Sequence, residues 1–150
     1  MDIGSQNSYP ASALSNFAPH PFTVDGIECN SMEGFLQSLK FKNPEMQKEV
    51  CKLVGKAAKF RGKKKKWWRT QELFWQGEIY KRNSEEYQQL LTRAFDALLQ
   101  NSGFQSALKA TGNANLTHSI GKSDINKTVL TEREFIGQLN RLRNQLHTRN

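Results

Sequence analysis

Residues 30–42, NSMEGFLQSLKFK, hold a carboxylate, an amide and an amine at a spacing that can do chemistry. Glu33, Gln37 and Lys40 stand at i, i+4 and i+7. On a helix turning about 100° per residue they share one face, within about 60° of one another. Leu36 and Phe41 wall this stripe, and Met32, Phe35 and Leu39 occupy much of the remaining circumference. A surface helix ordinarily opposes one broad polar face to one apolar face; here the polar stripe is narrow. One reading is a capped helix, with Asn30 as N-cap, Glu33 closing a capping box, and Lys40 snorkelling past Leu36. The other is the wall of a pocket. A partly buried carboxylate beside an amine titrates near neutrality and works as an acid or base. A desolvated lysine attacks a sugar C1 in its aldehyde form, and Gln37 orients one of the two. Spacing alone leaves both readings open.

The elements that must position these residues follow from turn and cap signals. Asp25-Gly26, inside FTVDGIEC (22–29), separates two runs of strand formers and predicts a hairpin. A helix over 31–42 follows. Asn43-Pro44 opens another, PEMQKEVCKLVGKAAKF, with Pro44 at its first position. QELFWQGEIYKRN (71–83) reads as irregular or briefly extended around a Gln-Gly turn. Asn83 or Ser84 caps a long helix with acidic residues in its first turn. Gly103 separates that helix from a shorter one, which Thr111-Gly112 stops. NLTHSI (115–120) is a strand candidate. Thr131 and Glu134 form a capping box for a last helix with Phe135, Leu139, Leu142 and Leu146 as its core stripe. The expected class is α+β: one compact, mostly helical domain with a few short strands. Residues 1–12 read as an N-terminal tail, and 13–147 as the domain.

Composition narrows the partners. The 150 residues are enough for one core, and no apolar run approaches the roughly 20 needed to span a bilayer. The N-terminus has neither the basic nor the apolar region of a secretory signal, which predicts a cytoplasmic protein with no membrane partner. Cys29 and Cys51 lack metal-ligand spacing and read as buried thiols. The net charge is +8, which favours an anionic partner such as nucleic acid, a nucleotide or a phosphorylated metabolite. Lys63 to Lys66, followed by Trp67-Trp68-Arg69, form either a phosphate-binding surface with stacking rings or a solvated turn anchored by its tryptophans. His118 is either a substrate contact or general base, or a satisfied strand histidine. There is no P-loop, GxGxxG or Ser-His-Asp set, and no metal or cofactor is expected.

The order of several short motifs resembles that of the NADAR family, also called YbiA-like. These are LSNF (14–17), PF (21–22), S-x-E-x-x-x-Q-x-x-K (31–40), A-x-x-F with its following Gly (57–62), ATG (110–112), LTHS (116–119) and LNRLR after a single Gly (137–143). The resemblance runs from about Ala13 to Leu146. It implies a compact α+β fold and metal-free hydrolysis of an N-glycosidic bond. Family members act on riboflavin-pathway intermediates or remove ADP-ribose from modified guanine in nucleic acid. By resemblance, Glu33 and Lys40 fall on the active-site Glu and Lys. Asn16 and Phe17 fall on the SNF motif near the ribose or base.

The chain also departs from that pattern. Tyr87 stands near the position where many members have Trp. Asp124 lacks the Trp-Gly that follows the family's Asp. WWRTQELFWQGEIYKRN is inserted before the middle helix, so Trp75 is a candidate for the missing ring. Gln37, Trp75, His118 and Asp124 complete the expected substrate contacts. The expected activity is that of an N-glycosidase on a phosphorylated N-riboside, with ADP-ribose on guanine in nucleic acid preferred. A riboflavin-pathway substrate is one alternative; a non-catalytic ADP-ribose or nucleic-acid binder is another. Within the enzyme reading, Lys40 is either a Schiff-base nucleophile or a phosphate anchor.

Overall fold

In the computed structural model, which describes residues 1–148, Asp25 and Gly26 have φ of 50° and 79°. Two successive left-handed residues suit the twist of a two-residue hairpin. They join β1 (Phe22–Val24) to β2 (Ile27–Cys29), with Val24 opposite Ile27. Gln76 and Gly77, at 49° and 88°, do the same for β3 (Glu72–Trp75) and β4 (Glu78–Lys81). The segment read as irregular or briefly extended is therefore a second antiparallel hairpin, which the Gln-Gly turn closes.

The described residues form six α-helices: α1 (Met32–Ser38), α2 (Pro44–Cys51), α3 (Gly55–Lys63), α4 (Glu85–Leu98), α5 (Ser102–Ala110) and α6 (Glu132–Thr148). With the two hairpins this is the expected α+β class. No described helix is long and apolar enough to cross a membrane. Ser84 caps α4, accepting from the Tyr87 amide at 3.1 Å. Thr131 and Glu134 close the expected capping box at the start of α6, and Phe135, Leu139, Leu142 and Leu146 are buried. Gly103 lies within the first turn of α5, behind an Asn101 cap, rather than ahead of the helix.

Three expectations are corrected. The helix from Pro44 does not run through to Phe60: Val54 is extended and Gly55 has φ 56°. That left-handed residue turns the chain so that α3 packs on α1. NLTHSI makes only an isolated bridge, Thr117 to Asp2. Its partner is the supposed tail. Ile3 is fully buried, and its amide donates to the Thr117 carbonyl at 2.8 Å, so the first residues are built into the domain.

The cap of α1 is also one residue later than expected. Ser31, not Asn30, accepts from the Gly34 amide, at 3.0 Å. Asn30 instead binds the end of α2, donating its side-chain amide to the Lys52 carbonyl. Glu33 is therefore released from a capping box. Helix α1 lies across the end of α2 through Gly34: a Cβ there would stand 2.6 Å from the Leu53 carbonyl oxygen and 3.0 Å from that of Cys51. Backbone cannot yield as a flexible side chain can. Gly34→Ala is therefore expected to destabilise the protein by about 1–3 kcal/mol, seen as a lower urea midpoint.

Candidate active site

Six of the seven residues of α1 are buried; the exception, Glu33, is partly open. A helix apolar nearly all round belongs inside a protein. The Gln37 side-chain amide donates to Glu33 Oε1 at 2.9 Å. Lys40 lies in the turn beyond the helix, where its amide donates to the Gln37 carbonyl at 3.2 Å. The Glu33 amide donates to the Asn16 carbonyl at 3.0 Å, bringing the SNF segment beside α1.

Glu33, Gln37 and Lys40 open onto one cavity of about 520 Å³, within the usual range for a small-molecule site. Ser15, Asn16 and Phe17 line it, with His118, Trp67 and Trp68. Among the described residues its remaining charged lining is all cationic: Lys40, Lys59, Lys63, Lys65, Lys122 and Lys127 surround Glu33, the single carboxylate. Burial pushes the Glu33 carboxyl above the ordinary carboxylate range. The Gln37 hydrogen bond, Lys40 and Lys59 offset this only in part. Burial likewise lowers the Lys40 ammonium, against the pull of Glu33 and with the repulsion of Lys122.

Helix α3 holds Gln37 in place through what it lacks. Its buried face is Ala58 and Gly62, and a Cβ on Gly62 would collide with Gln37 Oε1 and stand 2.9 Å from its Cδ. That Oε1 is buried without a hydrogen-bond partner, so the amide is held by packing and by Glu33. Gly62→Ala is expected to displace Gln37 from Glu33. A pH titration of the Glu33 carboxyl by carbon NMR should then move its midpoint relative to wild type; an unchanged midpoint would mean that Gly62 serves packing alone.

The loop over 122–131, which brings Lys122, Lys127 and Thr128 to the cavity, is tied down from behind. Arg82, fully buried, donates to the Thr128 carbonyl at 2.8 Å and forks onto Glu134 at 3.2 and 2.6 Å. Tyr87 donates its hydroxyl to the Val129 carbonyl at 2.6 Å. Gln71 bridges the Trp68 and Asn126 carbonyls. His118 Nδ1 lies 2.8 Å from the Ile3 carbonyl. A carbonyl only accepts, so that nitrogen is the donor and Nε2 is the ring nitrogen left facing away from this bond.

A family model for bacteriophage protein GP30.3 matches residues 8–144. The chain belongs to the bacteriophage GP30.3 family. It is 44% identical over 152 residues to an Enterobacteria phage T4 protein described as an uncharacterized 17.1 kDa protein in the Gp30–rIII intergenic region, across 97% of this chain and 98% of that one. The GP30.3 fold is similar to that in an NMR structure of the Escherichia coli protein YbiA, with TM-score 0.64 and 19% identity over 98% of this chain and 83% of that one. The YbiA-like architecture implied by the motifs is thus present, while the family matched by sequence is GP30.3 rather than NADAR by name.

Two expected contacts are absent from the GP30.3 cavity. Trp75 is 2% exposed; its ring meets Phe35 edge-on at 4.9 Å and its Nε1 donates to Asp25 at 2.9 Å. It is a core residue of β3, unavailable for stacking on a ligand, because strand alternation turns Leu73 and Trp75 inward together. Asp124 is exposed and accepts from the Asn126 amide in its own loop. The tryptophans at the cavity are Trp67, buried as an anchor, and Trp68, half exposed. Sequence reasoning did not anticipate Lys59, Lys122 and Lys127. Lys59 stands within the A-x-x-F motif and could have been weighed; nothing local marks the loop lysines.

Proposed function

We propose that this GP30.3-family protein is an N-glycosidase that hydrolyses the bond between ribose C1 and a base nitrogen in a phosphorylated N-riboside. Its preferred substrate is ADP-ribose on guanine in nucleic acid. The observation that carries this reading is a desolvated carboxylate in a cavity whose other charged lining, among the described residues, is lysine. Breaking the C1–N bond leaves positive charge on C1 and the ring oxygen. A carboxylate beside C1 stabilises that charge and draws a proton from the attacking water. Water supplies the new hydroxyl on C1, and the departing base nitrogen takes a proton. The lysines suit a diphosphate, and Trp68 offers a face for the base.

Lys40 has two roles within this reading. Five other lysines line the cavity and can hold phosphates, and it is Lys40 whose ammonium burial destabilises. That favours Lys40 as the nucleophile at C1, where its amine displaces the base nitrogen. The ring C1–O bond then opens to a Schiff base as the ring oxygen takes a proton from the amine. Water activated by Glu33 hydrolyses the C=N bond, freeing the sugar and Lys40. Borohydride added during turnover is expected to trap a ribosyl adduct, located on Lys40 by peptide mass spectrometry and absent from Lys40→Arg. A normal rate in Lys40→Arg would make the residue dispensable.

Substrate class is tested by offering guanine-ADP-ribosylated DNA and riboflavin-pathway N-ribosides in parallel. Release of ADP-ribose from the DNA supports the preferred substrate. Release of a ribose phosphate from the metabolites alone would replace it, and tight binding of ADP-ribose with no release from either would make the protein a binding module.

A further inference from the structure

The net positive charge of the chain comes from one stretch. Of its 22 lysines and arginines, nine lie between Lys52 and Arg69, where there is no Asp or Glu; the other 13 are outnumbered by the 14 acidic residues. Every one of the nine is exposed. On α3, Lys56, Lys59, Phe60 and Lys63 fall within an arc of about 100°, on the side away from Ala58 and Gly62. Phe60 is 57% exposed and Trp68 is 50% exposed. Each already carries a cation over its ring: Lys63 Nζ lies 5.7 Å from the Phe60 centroid and the Arg69 guanidinium 5.5 Å from that of Trp68. Lys59, Lys63 and Trp68 also line the cavity, so this face is continuous with its rim.

We infer that the outer face of α3 and the turn after it form a docking surface for single-stranded nucleic acid, which passes from Lys56 and Phe60 to Trp68 at the cavity mouth. Interleaved cations and exposed rings match a chain that alternates phosphates with accessible base faces. A duplex matches less well, because its base faces are stacked away and only its phosphates would be met. An acidic protein would satisfy the lysines but not the rings. The inference depends on the proposed function only in making the docked strand the carrier of the scissile base.

The test is fluorescence anisotropy of a labelled 12-nucleotide oligothymidylate and of a duplex of equal length, neither bearing ADP-ribose. The outcome is therefore independent of whether the cavity turns anything over. The wild type is expected to bind the single strand at least ~10-fold more tightly than the duplex. Contacts to about four phosphates would give a slope of log affinity on log salt near −3. Phe60→Ser should weaken binding about 5- to 100-fold through lost stacking, and K56Q/K64Q/K66Q should flatten the salt slope. All four side chains are exposed, and circular dichroism melting would verify that the variants fold. Equal affinity for the duplex, no effect of Phe60→Ser, or no binding of the single strand would each overturn the inference.

Discussion

Glu33→Gln is expected to lower kcat about 10³-fold while leaving affinity for ADP-ribose within a few-fold of wild type. The amide keeps the volume and can still meet Gln37, but it can neither neutralise an oxocarbenium ion nor accept a proton from water. General-base and electrostatic contributions each lie in the range of about 10²–10⁴. The pH profile supplies an independent check. Burial raises the Glu33 carboxyl above the ordinary carboxylate range, so the rate of the wild type should fall on acidification with a midpoint above that range, and the residual rate of Glu33→Gln should lack this limb. Stability runs the other way. A folded state that holds this proton more tightly than the unfolded chain loses stability as pH rises from the ordinary carboxylate value through the raised one. Glu33→Gln should lack that decline, which urea titrations at several pH values would show. Full activity in the variant would remove Glu33 from the chemical step.

Arg82→Ala is expected to cost about 3–5 kcal/mol of stability, because it leaves the Glu134 carboxylate without its main counter-charge in a largely buried site. Arg82 is 0% exposed and lies 5.0 Å from the Tyr87 ring centroid. Glu134 also accepts from Gln88 at 2.6 Å and from Thr131 at 2.8 and 3.0 Å. Burial alone would raise the Glu134 carboxyl, but the hydrogen bonds from Arg82, Thr131 and Gln88 and the arginine's charge together hold it below the usual value. Such a group stabilises the fold above its unfolded pKa, and the contribution is lost as pH falls through the depressed folded value. Wild type should therefore lose stability on acidification more steeply than Arg82→Ala, measured by urea unfolding between neutral and acid pH. Arg82→Lys should recover little, since an ammonium cannot reproduce the fork onto two carboxylate oxygens while also reaching Thr128. The same variant should loosen the loop over 122–131, detectable as faster amide exchange at Val129 and Leu130. A stability change below about 1 kcal/mol would mean that the network is incidental.

Local signals in the chain anticipated local structure well. Asp25-Gly26, the Thr131–Glu134 box and the α6 stripe each encode their geometry within a few residues, and all three are present. The narrow polar stripe of α1 left a capped helix and a pocket wall both open, and the structure buries that helix nearly all round. What failed was decided by distant partners. Asn30 looks like a cap until the end of α2 is beside it; Ser31 then takes the role. Trp75 looks like a spare ring until β3 turns it inward against Phe35. The first residues look like a tail until Thr117 offers them a carbonyl.

The cavity divides along the same line. Glu33 and Gln37 share one face of α1 and Lys40 follows in the turn just beyond it, so their spacing alone brings them together. Asn16 and Phe17 were reached through the SNF motif, and the structure lines the cavity with them. Lys122 and Lys127 arrive on a loop held by Arg82 and Tyr87 from 40 or more residues away, and no local pattern records that. The lysine run is half cavity and half surface: Lys63 and Lys65 line the site while Lys64 and Lys66 do not, as four consecutive residues require when one ligand lies to one side.

The most direct test of the central claim is to identify the bond that the wild-type protein cuts. A single-stranded oligonucleotide bearing one ADP-ribosyl guanine would be incubated with stoichiometric protein and both products weighed by mass spectrometry. Cleavage at C1–N predicts intact ADP-ribose together with an oligonucleotide restored to its unmodified mass. An oligonucleotide that keeps its full modified mass, or one that loses AMP and retains ribose phosphate, would contradict the account.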